Sequence, residues 1–530
     1  MSKKGMAQAT AVVALLMVLS KIVGFLRDQL IAMFFGATGL TDAYMVSTLI
    51  SGFVGAMLSG PISTAFLPVF AADLAKGDQI GARRVASSVF TISAGAVLLV
   101  SLAAIPFSSR LVTLVAPGLS GSDYEIAVRM TQVFFPAMVL PLLTALVKCV
   151  LNSFKEFTVP GVSPFIQNLV IVATVALLAP VTGITSLTVG TVLGYAGALL
   201  VQVPSLRKTG LLPGLSLELN EGTLKVLKLA IPLVAQALFG QLYQMVDKNL
   251  ASKFPEGSIA ALGFADRLRQ LPVGLFVTAV TTVVYPALSE MWARKDRERL
   301  SETVLMGLRY AEFVCVPSMV GFLVLAEPIT RLVYQRGAFT GEATALTASV
   351  LAAYAPAIIG MAASQVIVIA FYSSQKTWIP VLLGTGTAII NIGLDLVLVR
   401  FLGLVGLALA NSLASVSGAI LSLYVFSRCI ARLPLWDLAA SMLKIASASG
   451  IMGIFAFLAA EFLGFTRGFG SFGKDALTGA LVIGSSVLVY LGAAALLKCQ
   501  EIELVTNLVR ERFARIGRKS SESEKGANLQ

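Results

Sequence analysis

The chain has 530 residues, of which 57% are hydrophobic and only 13% are charged. A soluble protein carries about 25% charged residues, so this composition and the mean hydropathy of +0.86 exclude soluble enzymes, disordered chains and secreted disulfide scaffolds. The net charge of +12 fits basic loops lying against anionic lipid and requires no nucleic acid. We therefore predict an all-α integral membrane protein, because backbone polar groups in hydrocarbon must pair within each helix.

Apolar windows of about 20 residues predict fourteen transmembrane helices. In chain order they cover residues 8–33, 44–72, 87–107, 127–151, 161–180, 187–204, 226–251, 260–290, 304–326, 342–372, 378–399, 404–427, 437–460 and 475–497. Alternate loops are rich in Lys and Arg and lie on the same side as both termini. The positive-inside rule then predicts that both termini lie on the cytoplasmic side of the membrane.

An internal repeat divides most of the chain. Asn152-Ser153 and Pro160 recur as Tyr372-Ser373 and Pro380, 220 residues later. Residues 1–215 and 222–430 are thus predicted to form two pseudo-symmetric six-helix lobes around a central cavity. Residues 432–498 form two extra helices outside the repeat. Residues 499–530 are predicted to form a basic amphipathic helix, Glu501 to Lys519, followed by a polar tail.

Composition also limits the chemistry. The chain has no histidine and no Walker loop, and its four cysteines share no metal-binding spacing. The cysteines are interpreted as buried hydrophobic residues. These absences remove the usual zinc ligand and the usual acid–base group near neutral pH, and they argue against direct drive by ATP. We predict no enzyme activity and no cofactor apart from Na⁺.

Ionisable residues within predicted membrane spans mark the candidate substrate site, because an isolated charge there costs several kcal/mol. The cations Lys21, Arg27 and Arg267 are predicted to bind an anion such as pyrophosphate, which suits the planar fork of arginine. Carboxylates near them are predicted to line or gate the cavity; they are Asp28, Asp42 and Asp266. The alternative is local pairing, for example of Lys21 with Asp28 seven residues later on the same face.

A second constellation indicates a cation site. Asn391 and Asp395 share a face of predicted helix 11. Asp247 on predicted helix 7 and Asn411 on predicted helix 12 would approach that face if the second lobe packs compactly. Carboxylate and amide oxygens suit a hard cation, so these four residues are candidate Na⁺ ligands. The alternative is a carboxylate that is protonated or paired with Lys248, with no bound ion.

Several motifs resemble those of the MurJ/MviN lipid II flippases, a family of the MOP exporter superfamily. They are SKIVGFLRD at 20–28, FGA at 35–37, TDAY at 41–44, AFLP at 65–68, ADRL at 265–268 and AFYS at 370–373. The resemblance covers nearly the whole chain. It implies a peptidoglycan precursor as cargo, an undecaprenyl-pyrophosphate carrying a disaccharide–pentapeptide, moved from the inner to the outer leaflet.

The resemblance also implies roles for particular residues. Arg27 and Arg267 stand at two arginine positions that bind pyrophosphate in the family, Lys21 replaces a third, and Asp42 matches an acidic position. A further family cation near residues 54–56 is missing, and Ser59 stands where an acidic residue is expected. The last two helices would form a groove for the polyprenyl tail.

The sequence therefore predicts a lipid II flippase that works by alternating access, driven by membrane potential or an ion gradient. Its predicted partners are lipid II, the membrane and cell-wall synthesis proteins. One alternative is a flippase for another polyprenyl-pyrophosphate-linked oligosaccharide, and another is a multidrug/cation antiporter of the same superfamily. A membrane enzyme acting on polyprenyl phosphates and a scaffold for cell-wall proteins are further alternatives.

Overall fold

The computed structural model of the protein describes residues 3–468 and 471–502. Within these ranges the chain is α-helical and contains no β-strand. This agrees with the predicted all-α membrane fold, in which each helix satisfies its own backbone polar groups. The predicted amphipathic helix lies outside the described residues, apart from its first two positions, and so does the polar tail.

Twenty α-helices follow one another in the described part of the chain. The first ten are α1 Lys3–Phe35, α2 Gly39–Ala75, α3 Gln79–Ala104, α4 Ser108–Val115, α5 Gly121–Ala137, α6 Val139–Ser153, α7 Thr158–Thr182, α8 Thr185–Leu200, α9 Val203–Lys208 and α10 Glu221–Ala251. The next ten are α11 Ser258–Pro272, α12 Thr278–Ala293, α13 Arg297–Val324, α14 Ala326–Tyr334, α15 Gly341–Tyr354, α16 Ala357–Ser373, α17 Trp378–Leu402, α18 Leu404–Cys429, α19 Leu435–Phe462 and α20 Phe472–Leu496.

Many of these helices are long and apolar enough to cross a bilayer. Among the described residues eleven helical runs qualify, and α15 with α16, bent by 46°, forms a twelfth if the pair is one span. These twelve coincide with predicted spans 2 to 6 and 8 to 14. Helices α1 and α10 cover predicted spans 1 and 7 but do not belong to that set. The multi-pass prediction is thus confirmed, and the number fourteen stays a prediction.

The internal repeat is visible in local backbone geometry. Asp78 before α3 and Asp296 before α13 both accept a hydrogen bond from the backbone N–H three residues later, at 2.8 and 3.1 Å. Each carboxylate thereby caps its helix. Lys155 and Gln375, 220 residues apart, both take a left-handed backbone conformation, with φ of 62° and 58°. The two copies of the repeat therefore begin and end helices in the same way.

By its contacts the chain divides into two compact units. The first comprises Met1–Arg267, Val333–Val350 and Ala388–Asn411, and the second comprises Leu268–Leu332, Leu351–Thr387 and Ser412–Gln530. Every predicted site residue lies in the first unit. These units differ from the predicted lobes, which stay a prediction.

In the first unit, α2 packs against α5, α6 and α10, and α1 and α8 both pack against α7. Small residues permit these close approaches, as is common between membrane helices. A Cβ at Gly194 on α8 would lie only 3.0 Å from the carbonyl oxygen of Gln167 on α7. This contact helps to fix α7, which faces the candidate site on α1.

In the second unit, α13 is central, because it packs against α12, α16 and α19. One face of α13 contributes Leu308 and Cys315 to an apolar core shared with α12 and α16. Another face contributes Phe313 and Val316 to a second core, shared with α19 and α20.

Candidate substrate and ion sites

Two predicted cations meet at one carboxylate. Arg27 and Asp28 are neighbours on α1, and the Arg27 Nη2 lies 2.8 Å from the Asp28 Oδ1. Arg267, on α11, places its Nε 3.5 Å from the other oxygen of Asp28. Asp28 thus counters two guanidinium groups at once, which leaves this cluster with a net positive charge.

The two arginines differ in access to solvent. The Arg27 side chain is 19% exposed, whereas the Arg267 side chain is 53% exposed. The open guanidinium of Arg267 can therefore meet an incoming anion while its Nε stays near Asp28. An ion pair with a half-exposed partner contributes little to stability. Replacing Asp28 by an anion of higher charge as the partner of Arg267 therefore costs little free energy.

Asn168 on α7 orients Arg27. Its Oδ1 accepts a hydrogen bond from the Arg27 Nη1 at 3.0 Å, and its own Nδ2 donates to the backbone oxygen of Pro164 at 3.1 Å. Sequence reasoning missed this residue. Asn168 could have been selected because it is an amide within an otherwise apolar predicted span. Polar side chains in such spans usually hydrogen-bond to a neighbouring helix.

Lys21 lies on the same helix as the arginine–carboxylate cluster, six residues before Arg27. At 1.5 Å per residue its Cα is about 9 Å further along α1. Its side chain is exposed, and the ion pairs that Asp28 makes in the described structure are those with Arg27 and Arg267. The participation of Lys21 in a shared anion site stays a prediction.

Asp42 caps helix α11. It is buried near the start of α2, and its two carboxylate oxygens accept hydrogen bonds from the backbone N–H groups of Gly257, at 2.8 Å, and Ala260, at 2.6 Å. An acidic group at a helix N-terminus satisfies free N–H groups and complements the helix dipole. Asp42, which the sequence predicts to line or gate the cavity, therefore hydrogen-bonds to the N-terminal end of a helix 215 residues later in the chain.

Other close contacts surround this cap. Gly257 has a φ of +85°, and a Cβ there would lie 2.0 Å from the carbonyl oxygen of Ala37. The backbone N–H of Ala338 donates to the carbonyl oxygen of Met33 at 2.8 Å. We call the contacts of Asp42, Gly257 and Ala338 the outer latch, because the predicted topology puts these helix ends on the side opposite the basic loops.

The four candidate ion ligands also come together within the first unit. The Asn391 Nδ2 donates to the Asp395 Oδ2 at 2.7 Å, and the Asn411 Nδ2 donates to the Asn391 Oδ1 at 3.1 Å. Asp247 on α10 completes the group, since its carboxyl interacts directly with that of Asp395. Asn391 and Asp395 are buried, and the Asp395 Oδ1 has no hydrogen-bond donor in the described structure.

Lys248 lies between the two clusters. It is within electrostatic range of the carboxylates of Asp42, Asp247 and Asp266 and of the Arg267 guanidinium. The predicted alternative of a Lys248–Asp247 interaction therefore coexists with the grouping of the four candidate ligands. Asp266 contributes to this charge network beside Arg267.

The chain matches known proteins over most of its length. The family model described as "Lipid II flippase MurJ" matches residues 31–476. The lipid II flippase MurJ of Burkholderia cenocepacia is 29% identical over 402 residues, which cover 74% of this chain and 78% of that protein. A probable lipid II flippase MurJ of Synechocystis is 24% identical over 531 residues, covering 97% of this chain and 99% of that protein.

Solved structures agree with these matches. A lipid II flippase MurJ in an inward closed conformation superposes with a TM-score of 0.77 at 27% identity, covering 91% of this chain and 98% of that one. An inward-facing MATE family multidrug transporter of the MOP superfamily shares the fold, with a TM-score of 0.67 at 12% identity, covering 80% of this chain and 96% of that one. The match of the family model to most of the chain shows that this protein belongs to the MurJ family of lipid II flippases.

Proposed function

We propose that this protein moves lipid II from the inner to the outer leaflet of the bacterial cytoplasmic membrane by alternating access, as a transporter and not as an enzyme. The observation that carries the proposal is the convergence of Arg27 and Arg267 on one carboxylate, in a chain of the MurJ family. Two guanidinium groups with a single counter-charge suit a ligand that brings more than one negative charge.

The pyrophosphate of the cargo would compete with Asp28 for both arginines. Each guanidinium offers several N–H donors in a planar fork, which matches phosphate oxygens better than a single carboxylate does. Lys21, about two turns of helix away, would supply a third cation to the headgroup. Asp28 would recover the arginines when the headgroup leaves and would thereby assist release.

Alternating access requires the outer latch to break. The basic loops favour a cytoplasmic location for both termini, so the Asp42 end of α2 faces outward. Two hydrogen bonds to a charged acceptor contribute about 1.5–3 kcal/mol each, which suffices to bias the protein toward an outward-closed state. Opening the latch would then expose the bound headgroup to the outside.

Na⁺ is the proposed coupling ion. Asp247 and Asp395 are two carboxyls in direct contact, and like charges so close cannot both stay ionised without a cation or proton. The amide oxygens of Asn391 and Asn411 can complete an all-oxygen site, provided that the Asn391 amide rotates to turn its oxygen inward. These residues fit a hard cation.

The remaining proposals concern the lipid tail and partners. Helices α19 and α20, outside the sequence repeat, would hold the polyprenyl tail in the membrane while the headgroup crosses. Cell-wall synthesis enzymes are the proposed protein partners, since they supply and consume the same lipid.

Rescue of cells depleted of their own lipid II flippase tests the proposal. The chain should restore growth, and Arg27→Ala and Arg267→Ala should abolish both rescue and translocation of labelled lipid II in proteoliposomes. Arg129→Ala is the control, because Arg129 is 78% exposed and pairs only with Glu125 on its own helix. Near-normal flipping by both arginine variants would refute the anion site. Failure of the unaltered chain to flip lipid II, with transport of another polyprenyl-pyrophosphate glycan, would assign a different cargo.

A further inference from the structure

A second ionisable group lies deep within the second unit, apart from both candidate sites. Glu312 is the sixteenth of the 28 residues of α13, about 22 Å along the helix from its start. It lies one turn further into the helix bundle than Arg309, which contacts the start of α19 and Gln500 beyond the end of α20. Glu312 is 2% exposed, and neither side-chain oxygen accepts a hydrogen bond from any group in the described structure. The function proposed above makes no use of it.

The surroundings of Glu312 are apolar. One helical turn to either side lie Leu308, in the core shared with α12 and α16, and Val316, in the core shared with α19 and α20. Glu312 therefore faces the seam between these two cores. Cys315, one turn along the same helix, is buried and lies within electrostatic range of the carboxyl.

The helices packed against α13 supply no ion-pair or hydrogen-bond partner to Glu312 within the described residues. Helix α16 contains no Asp, Glu, Lys or Arg, and its one tyrosine, Tyr372, is next to its last residue. On α19, Lys444 lies near the level of Glu312, but its side chain is exposed and its Nζ donates to the backbone oxygen of Lys498 at 3.4 Å. The other titratable residues of α12 and α19 are Tyr285, Glu290, Asp437 and Glu461.

Two nearby groups are already engaged. The Tyr490 hydroxyl of α20 donates to the backbone oxygen of Phe313 at 2.7 Å. Arg309, one turn before Glu312, donates to the Gln500 Oε1 at 2.9 Å and to the Asp437 backbone oxygen at 3.0 Å, and its Nε pairs with the buried Glu501 at 3.9 Å. Neither Tyr490 nor Arg309 makes a hydrogen bond or ion pair to Glu312 in the described structure.

Burying an ionised carboxylate among apolar side chains costs far more free energy than burying the neutral acid. Glu312 therefore binds a proton while it is buried. We propose that Glu312 is a proton-binding site of the transport cycle. In the conformation described here it holds a proton as a carboxylic acid. When α13 separates from α16 or α19, water reaches the group, the O–H bond breaks, the proton passes to water, and the carboxylate stays hydrated until the helices close again and it is reprotonated.

This inference rests on the proposed function, because it names a second ion that the same cycle binds and releases. It predicts that a pH gradient alters flipping even without a membrane potential. Replacing the acid by its neutral amide keeps the shape of the side chain and removes the exchangeable proton.

The experiment uses the full chain in proteoliposomes with fluorescent lipid II, at zero potential, with and without an imposed pH gradient. We expect the gradient to change the initial rate at least threefold in the wild type and to have no effect in Glu312→Gln. Glu290→Gln is the control, because Glu290 is 62% exposed and pairs with Arg294 on the surface of α12; it should respond as the wild type does. Equal responses in the wild type and Glu312→Gln would overturn the proposal.

Infrared spectroscopy of protein labelled with ¹³C-glutamate tests the same group directly, because the difference between the wild-type and Glu312→Gln spectra isolates the band of Glu312 from those of other glutamates. The expected signal is a carboxylic-acid carbonyl band that shifts with the label and weakens when lipid II is added. Absence of this band, or a band unchanged by lipid II in protein that flips it, would overturn the proton site. If the wild type binds no lipid II, the proposed function fails, whereas the band in the unliganded protein still reports the protonation of Glu312.

Discussion

In the proposed function, Asp28 would occupy the arginines in place of the anionic cargo when no cargo is bound. Its two oxygens contact Arg27 and Arg267, so the positive cluster is partly neutralised before any substrate arrives. Such a carboxylate weakens binding and speeds release, which suits a carrier that must let its cargo go. A transporter gains rate only when it does not hold the bound state too tightly.

This role predicts the behaviour of Asp28→Asn. The amide keeps the shape but removes the competing charge, so we expect lipid II to bind about tenfold more tightly, which corresponds to about 1.4 kcal/mol. We also expect slower flipping, because release becomes limiting. A binding titration beside a translocation assay measures both, with Asp73→Asn at the far end of α2 as the control. Weaker binding by Asp28→Asn would show that Asp28 instead orders the arginines.

Asn168 permits a sharper test of how Arg27 is held. Loss of its hydrogen bond to the Arg27 Nη1 in Asn168→Ala should cost about 1 kcal/mol, or about a fivefold loss of lipid II affinity. In an Arg27→Ala background the same substitution should have no further effect, since the partner is gone. This double-mutant cycle is read from binding titrations. Additive losses would mean that Asn168 acts through some other contact.

At the scale of helices, the sequence predicts where segments lie better than how they bend. Predicted span 260–290 is confirmed as one continuous helical run, Ser258–Ala293, but a π-helical turn, Val273–Val277, lies within it. Pro272 directly precedes this turn and removes a backbone donor, which explains the local irregularity. Likewise Pro356 lies at the 46° bend between α15 and α16.

Contacts between distant segments could not be derived from the sequence. Arg27, Asp28 and Arg267 could be selected as intramembrane charges, but the approach of Asn168, 141 residues after Arg27, depends on the packing of α7 against α1. The bond from Asp42 to the start of α11 is of the same kind. Residue type predicts that a charge needs a partner, and only the packed helices determine which partner it has.

The outer latch makes a prediction about Gly257. In Gly257→Ala the new Cβ would meet the Ala37 carbonyl oxygen, and the left-handed backbone would be strained. We expect the latch to loosen and the outward-open population to rise at least tenfold. Gly210→Ala is a matched control, because Gly210 also has a positive φ but open space around its Cβ position. Distances between spin labels at Thr38 and Ala343 measure the opening; an unchanged distribution in Gly257→Ala would contradict the latch.

At the scale of the whole molecule, charge movement is the proposed driving force. The pyrophosphate of the headgroup is an anion, so the membrane potential, negative inside, favours its movement to the outside. Each charge carried across 100 mV contributes about 2.3 kcal/mol. An ion that enters at the Asp247 and Asp395 site would add to this. Lys248 lies within range of both that site and Arg267, so occupancy of one cluster alters the field at the other.

These two driving forces can be separated by one variant. Asp395→Asn removes a carboxylate from the ion site, so we expect net flipping in proteoliposomes to lose its response to a Na⁺ gradient while keeping its response to an imposed potential. The reason is that the charge on the cargo is unchanged, whereas the cation has lost a buried ligand that supplied its counter-charge. Asp475→Asn, outside both clusters, should keep both responses. If Asp395→Asn still responds to Na⁺ as the wild type does, the ion binds elsewhere; if it loses both responses, the site serves the conformational change itself and not the coupling of an ion to it.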